Sequence, residues 1–265
     1  MKIISLNVGI KIDNSKQVGE FIQSQNPDIV AFQEIIRNLD ESVYDIYRSK
    51  EHIEKIIGKE LPYSFFGPLF VARDFTKDGK IHRDFGGYIE QGNEVISKFP
   101  INEATNEFYY KAYSYDKDRT NFATEDNSRA LQVVDLDIAG QKLIIINVHG
   151  TYSKDKQDSE RSLAQSKYVI KVALRKKLPT IIVGDFNLFP ETNSIKIINR
   201  KFRNLVVENK IKTTRPKFDD GLDKGENVVD YIFVNDQIKV NKFELIDTNI
   251  SDHLPIILDF DIIKK

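Results

Sequence analysis

The segment TIIVGDFN at residues 180–187 decides the fold, because a β-branched run passes directly into polar residues. A short, continuous run such as 180–183 is typical of a strand buried on both faces or enclosed in a stacked pair of sheets. Five other runs have the same character and are also predicted strands: residues 2–8, 28–32, 143–148, 228–234 and 255–260.

Between these runs, apolar residues recur with the spacing of a helix. Val18, Phe21 and Ile22 form one stripe, which follows a predicted cap at Asp13 or Ser15. Three more helices are predicted: one with a stripe from Val43 through Ile46, Tyr47 and Ile53 to Ile57, one from Leu163 to Leu174, and a short one over 193–202. Residues 62–136 alternate more weakly and indicate antiparallel hairpins. We therefore expect one domain over residues 1–265, with mixed sheets and outer helices.

Composition excludes several classes of function. The chain has 265 residues with 39 basic and 40 acidic side chains, so any surface that attracts phosphate must be local. It has no cysteine, which excludes disulfides, thiolate metal sites and a cysteine nucleophile. No apolar run approaches the ~20 residues of a membrane span, and no leader precedes the first strand. The sequence thus predicts a soluble cytoplasmic protein.

Polar side chains at the ends of the predicted strands carry the functional signal. Any one of them would be a turn residue or a solvated group in most proteins. Their recurrence on six segments instead predicts a shared crevice along the sheet edges. The set consists of Asn7, Gln33 with Glu34, His149, Asp185 with Asn187, Asp230, and Ser251 with Asp252 and His253.

These residue types suit metal-assisted hydrolysis. Glu34 and Asp252 are hard oxygen donors that favour Mg²⁺ or Mn²⁺, although a carboxylate and histidine zinc site stays possible. Asp185 can orient or deprotonate a water. His149 and His253 can donate positively charged hydrogen bonds to a phosphorane-like transition state.

Other members of the set have supporting roles. A carboxylate behind a catalytic histidine fixes its tautomer, and Asp230 is the candidate for His253. Asn7 and Asn187 are neutral groups suited to a phosphoryl oxygen or a metal-bound water. The chain lacks the Gly-x-Ser-x-Gly elbow and both the phosphate-loop and dinucleotide signatures, so covalent serine chemistry and those nucleotide sites are not indicated.

Seven motifs in this order resemble the endonuclease/exonuclease/phosphatase superfamily, whose members have the DNase I-like fold. The resemblance covers essentially the whole chain. Within the superfamily the chain is similar to the uncharacterised bacterial branch. A departure is Gly9, where members that act at abasic sites usually carry Asp. The motifs are SLNV (5–8), AFQE (31–34), GNEVISKFPI (92–101), NVHG (147–150), GDFN (184–187), VDYIF (229–233) and SDHLP (251–255).

The resemblance implies an α+β fold, a four-layer α-β-β-α sandwich of two facing mixed β-sheets. It also implies that Glu34 is the principal Mg²⁺ ligand, with Asn7 and Asp252 nearby. Asp185 would position the attacking water with help from Asn187. His149 and His253 would contact the scissile phosphate, and Asp230 would pair with His253.

The sequence also offers candidates for residues that contact the substrate. Asn93, Arg129 and Arg215 are the candidates, although Arg129 equally suits a structural ion pair. The stretch 108–122 mixes aromatic and basic residues, which fits either stacking on bases or a hairpin packed on its own sheet. Residues 73–83 are predicted to be a solvated loop, and 210–217 a loop that faces substrate.

Three functions are consistent with the sequence. The leading one is a monomeric, Mg²⁺-dependent or Mn²⁺-dependent phosphodiester hydrolase, most simply a nuclease that acts on nucleic acid or nucleotides. The second is a phosphatase or phosphodiesterase of small molecules, such as phosphoinositides. The third is a scaffold that has lost turnover, which the complete polar set disfavours.

Overall fold

Two six-stranded β-sheets face each other in the computed structural model, which describes residues 1–9, 14–77, 80–113, 127–216 and 227–263, with backbone only at 75–77 and 80–82. The first sheet has the order β11-β12-β1-β2-β4-β3. Its strands are β1 (Lys2–Asn7), β2 (Ile29–Asn38), β3 (Tyr63–Lys77), β4 (Lys80–Ser97), β11 (Ile238–Leu245) and β12 (Ile256–Ile262).

The second sheet has the order β5-β6-β7-β8-β10-β9. Each sheet is mixed, because each contains one parallel pair at its centre, β1 with β2 and β7 with β8, among antiparallel neighbours. The strands of the second sheet are β5 (Ile101–Tyr110), β6 (Arg129–Ile138), β7 (Gln141–His149), β8 (Thr180–Asp185), β9 (Arg203–Asn204) and β10 (Asp230–Val234).

Helices cover the outer face of each sheet. Successive residues of a strand point to opposite faces, so Ile3 of β1 packs between the sheets while Ile4 packs outward. The outward layer of the first sheet meets α1 (Ser15–Gln25) and α2 (Ser49–Ile57), and that of the second meets α3 (Glu160–Ala173) and α4 (Asn193–Asn199). A short helix α5 (Leu205–Glu208) precedes β10. The predicted four-layer α+β sandwich is thus confirmed.

Two predicted helical stripes are wrong in part. Residues Asp45–Tyr47 form a separate 3₁₀ turn before α2, which leaves Ile46 exposed instead of packed. Leu174 is exposed beyond the end of α3, because the buried face of that helix carries the polar residues Gln165 and Ser166 instead. The hydrogen bonds of Gln165, described below, give the physical reason.

Other local predictions also need correction. Ser15 does not cap α1: its hydroxyl bonds His52 Nδ1 of α2 at 2.7 Å, and Asp13 lies outside the described residues. Residues 73–77 and 80–83 belong to strands β3 and β4, which pair with each other, so the prediction of a loop is wrong for these residues, and residues 78–79 lie outside the described part of the chain. Among the residues that the structure describes, none of the helices has both the length and the apolar character needed to span a membrane.

A carboxyl group is buried in the outer layer of the first sheet. Glu94 of β4 is fully buried, and its Oε1 accepts a hydrogen bond of 2.6 Å from Lys50 Nζ of α2. Its Oε2 has no hydrogen-bond partner among the described residues. Burial raises the pKa of Glu94 to about 7, despite the nearby Lys50 ammonium. The folded protein therefore holds a proton at Glu94 that the unfolded chain releases near pH 4.5.

We expect Glu94→Gln to remove part of the pH dependence of stability. Because the pKa is raised on folding, the free energy of unfolding of the native protein falls as pH rises from about 4.5 through about 7. This fall amounts to at most about 3 kcal/mol at about 1.4 kcal/mol per pKa unit. Urea unfolding between pH 4 and 8 measures it, with Glu20→Gln, on an exposed face of α1, as the control. Parallel pH profiles for the native protein and Glu94→Gln would contradict the assignment.

Candidate active site

The register of the central strands brings the polar side chains to one edge of the molecule. In the first sheet the end of β1 pairs in parallel with β2, so Asn7 lies opposite Gln33. In the second sheet His149 lies opposite Asp185, and antiparallel pairing sets Asp230 opposite Asp185 on its other side. The hydrogen bond from Asn7 Nδ2 to Asp185 Oδ2 joins the end of β1 in the first sheet to the end of β8 in the second.

Glu34 reaches this crevice through a β-bulge. The prediction that β2 ends at Phe32 is wrong, since the strand continues to Asn38 and its pairing with β4 slips between Phe32 and Ile35. Glu34 sits in the slip with a left-handed backbone, φ +60°. Bulges of this kind re-aim a side chain and often lie beside active sites. The carboxylate is therefore placed by an irregularity inside the strand and not by a strand end.

The carboxylate of Glu34 is held by neutral donors. Asn7 Nδ2 donates to its Oε1 at 3.2 Å, and Gln91 Nε2 donates to its Oε2 at 3.4 Å. Asn7 Nδ2 also donates to Asp185 Oδ2 at 3.0 Å, which links the first sheet to the second. Because Asn7 Oδ1 accepts the Gly9 backbone N–H at 2.9 Å, Asn7 orients two carboxylates here through its nitrogen.

The carboxylates fit a hard divalent cation. Burial raises the pKa of Glu34, and the negative charges of Asp252 and Asp185 raise it further. Crowding of like charges is relieved when a cation binds among them, and oxygen donors are those that Mg²⁺ and Mn²⁺ prefer. The residues that would hold such an ion are Glu34 and Asp252, with Asn7 beside them.

Gly9 leaves the space that Asp252 occupies. Gly9 has φ +72°, and a Cβ there would lie 2.6 Å from Asp252 Oδ1. The other carboxylate oxygen of Asp252, Oδ2, accepts a hydrogen bond of 2.7 Å from Arg215 Nη1. A side chain at position 9, as in the abasic-site members, would therefore displace Asp252 from its present position.

His253 lies between two carboxylates. Its Nδ1 is 2.9 Å from both oxygens of Asp230, and its Nε2 is 3.7 Å from Asp185 Oδ2. Thr214 Oγ1 donates to Asp230 Oδ2 at 2.6 Å and so fixes that carboxylate. Although burial alone would lower it, these two negative charges raise the pKa of His253. The predicted pairing of Asp230 with His253 is present in the structure, and it favours an imidazolium.

Asp185, Asp230 and His253 also lie close enough to hold a metal ion, with one ligand atom of each within 4.8 Å of the others. The contact of His253 Nδ1 with both Asp230 oxygens is, however, at ordinary hydrogen-bond distance. A hydrogen bond from Nδ1 to Asp230 leaves only Nε2 of His253 to bind a cation, and the imidazolium that the two carboxylates favour carries a proton there. That protonated state suits donation of a proton, whereas Glu34 and Asp252 could hold a cation without this competition.

His149 differs from the predicted positive donor. Its Nδ1 lies 3.3 Å from Arg129 Nη1, and its Nε2 lies 3.4 Å from Glu34 Oε1. Burial lowers the pKa of His149 well below its usual value, and the Arg129 charge lowers it further. Because a guanidinium can only donate, Nδ1 accepts and Nε2 carries the proton. His149 is therefore a neutral donor, aimed at the metal side of the site.

The three predicted substrate contacts differ in burial. Arg129 is buried beside His149, with its Nη1 3.3 Å from His149 Nδ1. Asn93 is fully buried between the sheets, opposite the bulge, and the nitrogen and oxygen of its side chain have no hydrogen-bond partner among the described residues. Arg215 is partly exposed and bonds Asp252, and its Nε has no partner in the part of the chain that the structure describes.

Asp185 and Asn187 form a rigid unit at the end of β8. The Asn187 backbone N–H donates to Asp185 Oδ1 at 2.8 Å, and Asn187 Nδ2 donates to Oδ2 at 3.3 Å. Despite its burial, the surrounding positive charges, His253 foremost, lower the pKa of Asp185 to about 2. A carboxylate this acidic is a weak base near neutral pH, so it suits orientation of a water better than deprotonation.

Supporting residues that the strand-end pattern did not indicate lie in the β7–α3 loop, on α3 and on β5. Gln165 Oε1 accepts hydrogen bonds from the Thr151 N–H at 2.7 Å and from Tyr109 OH at 3.0 Å, which fixes the chain just after His149. Lys156 Nζ donates to Asn187 Oδ1 at 2.5 Å. None of them follows a predicted strand, so the strand-end signal missed them.

The predicted aromatic rim is described only in part. Of the stretch 108–122, residues 114–122 lie outside the described residues, as does Lys217 of the predicted substrate loop. Phe108 packs beside a small core with Phe70 and Phe85, which supports the packing alternative for this side chain.

Sequence and structure comparisons identify relatives of the chain. The sequence pattern of the Endonuclease/Exonuclease/phosphatase family matches residues 4–253. Among proteins of curated function, none matches the chain in sequence.

Solved structures share the fold at low identity. An endonuclease/exonuclease/phosphatase from Beutenbergia cavernae has a TM-score of 0.73 at 14% identity, over 99% of this chain and 72% of that one. The human Nocturnin catalytic domain with bound sulfate has a TM-score of 0.69 at 16% identity, over 99% and 93%. A mannosyl-6-phosphatase from Bacteroides thetaiotaomicron has a TM-score of 0.66 at 16% identity, over 98% and 99%.

We expect Glu34→Gln to weaken binding of Mn²⁺, because an amide lacks the charge that the cation needs. Mn²⁺ titration followed by electron paramagnetic resonance measures the binding directly, without a substrate. The matched control is Glu90→Gln, a buried carboxylate of β4 that pairs with Arg37. An unchanged dissociation constant in Glu34→Gln would remove Glu34 from the ligand set.

Proposed function

The chain belongs to the Endonuclease/Exonuclease/phosphatase family, and on this premise we propose that it is a Mg²⁺-dependent or Mn²⁺-dependent phosphodiester hydrolase that acts on nucleic acid or nucleotides. Members of the family are hydrolases of phosphoester bonds. In this proposal the chain functions in the cytoplasm as a monomer and as a single domain over residues 1–265.

One observation carries the proposal: Asp185 lies between a histidine backed by a carboxylate and a separate group of carboxylates suited to a cation. His253 is 3.7 Å from Asp185 on one side, and Asn7 connects Asp185 to Glu34 on the other. Direct attack of water on a phosphodiester needs three functions: orientation of the water, stabilisation of the extra negative charge, and a Lewis acid. The two groups together supply all three.

Each residue has a defined part in the hydrolysis. Glu34 and Asp252, with Asn7 beside them, would hold the cation, which supplies Lewis-acid polarisation of the phosphoryl oxygen when bound. Asp185 orients the attacking water, and the Asn187 amide holds it or a phosphoryl oxygen from the same side. His253, kept positive by Asp230, donates to the developing charge on the phosphate. His149 donates through its neutral Nε2–H, and Arg215 attracts the phosphate at the open side.

A phosphatase or phosphodiesterase of small molecules is the second candidate. The chain is similar in fold to a mannosyl-6-phosphatase, and its formal charge of −1 provides no general attraction to a long polyanion. The catalytic parts would be the same, and the loops at the open side would decide between the substrates.

Assays with three kinds of substrate test the proposed function. We expect hydrolysis of bis-p-nitrophenyl phosphate and of plasmid DNA in Mg²⁺ or Mn²⁺, and none after EDTA. Turnover of inositol phosphates with no cleavage of DNA or of the diester would favour the second candidate. If none of these substrates turns over with either metal, the enzyme hypothesis fails and the chain is a scaffold.

We expect His253→Ala to lower kcat by about 10²–10³-fold, the usual effect of losing one donor to a transition state. The control is His52→Ala, since His52 is also buried and bonds a serine and an aspartate, but on the helical layer. Steady-state kinetics together with thermal unfolding separates chemistry from stability. Equal rates in the two variants would mean that His253 contributes to folding and not to the chemical step.

A further inference from the structure

Lys156 stands in the loop between β7 and α3, outside every motif of the sequence, yet its ammonium is directed into the active site. Its Nζ donates to Asn187 Oδ1 at 2.5 Å and lies 3.9 Å from the ring centroid of Tyr152. A cation above an aromatic face at this distance is attracted by the ring. The side chain is therefore held from two sides, and its charge is not simply solvated.

The backbone around Lys156 is fixed by the segment that follows Asp185. Lys156 has a left-handed φ of +56°, and its carbonyl accepts a hydrogen bond of 3.1 Å from the Phe189 N–H. Asp158 accepts hydrogen bonds from the backbone N–H groups of Asn193 and Ser194 at 2.7 and 2.9 Å. The loop and the segment after β8 therefore form one unit, which sets Lys156 against Asn187 before substrate binds.

Lys156 and Asp185 together fix how the Asn187 amide is oriented. An amide can present either its oxygen or its nitrogen to Asp185, and the two arrangements are nearly equal in shape. An ammonium has only donors, so the amide oxygen must face Lys156 and the NH₂ group must face Asp185, to which it donates at 3.3 Å. With the amide reversed, its oxygen would lie against the Asp185 carboxylate and would repel both that group and a phosphoryl oxygen.

We propose that Lys156 is a positioning residue that locks the Asn187 amide with its N–H groups toward Asp185 and the reacting phosphate. This inference rests on the proposed function, since it assigns Lys156 a role in the same hydrolysis. Its effect is on the transition state: the N–H of Asn187 is held ready to donate, and no reorientation is needed during the reaction.

A double-mutant cycle tests this role with bis-p-nitrophenyl phosphate. We expect Lys156→Met to lower kcat about 10-fold to 100-fold with little change in KM, because the lost interaction operates in the transition state. Lys156→Arg retains a donor and is expected to recover most of the rate. The double variant Lys156→Met/Asn187→Ala should be no slower than Asn187→Ala alone, because Lys156 acts through Asn187.

The control is Lys154→Met, since Lys154 is an exposed lysine of the same loop. It should leave kcat unchanged, and thermal unfolding should show all the variants folded at the assay temperature. Multiplicative losses in the double variant would overturn the proposal, since Lys156 would then act independently of Asn187. Native rates in Lys156→Met would overturn it as well. Absence of turnover in the unmodified protein would instead contradict the proposed function.

Discussion

Burial of like charges is the constraint on which this active site depends. Asp185 and Asp230 are almost completely buried, and Glu34 and Asp252 are partly so. Each buried ion costs several kcal/mol unless it is paired and hydrogen-bonded. The surrounding groups meet that demand differently on the two sides. On the His253 side the partners are the His253 imidazole and the Thr214 hydroxyl, whereas on the other side Glu34 is bonded by neutral amides and only Asp252 is paired with a guanidinium, that of Arg215.

The layer between the two sheets becomes polar just below the crevice. Gln33 Nε2 donates to Asn147 Oδ1 at 2.7 Å, and Asn147 Nδ2 donates to Gln132 Oε1 at 2.9 Å. These amides connect β2, β7 and β6 beside the apolar core that lies between the sheets. They therefore link the first sheet to the second, as the hydrogen bond from Asn7 to Asp185 does within the site.

Short-range patterns predict the mixed sheets, the outer helices and the polar residues near strand ends, whereas the four-layer arrangement follows from the resemblance to the family. A β-branched run such as 180–183 has few alternatives to a buried strand, and the carboxyl ends of parallel strands lie at the same edge of a sheet. What the sequence could not predict depends on contacts distant in the chain. The neutral state of His149 follows from its burial and from Arg129, which is 20 residues away. The polar face of α3 carries Gln165, whose partners Tyr109 and Thr151 are 56 and 14 residues away.

The bulge in β2 also changes which residues of the strand, the even-numbered or the odd-numbered, face the helices. Val30 and Phe32 face the helices α1 and α2, so a regular strand would carry the side chain at position 34 into that same apolar layer. Because the bulge accommodates one extra residue, Ile35 lies in the apolar layer instead, and the Glu34 carboxylate can turn toward the crevice. Loss of the one extra residue would leave Ile35 and the residues after it on their present faces and would remove only the carboxylate from the crevice, so the bulge serves the site and not the apolar core.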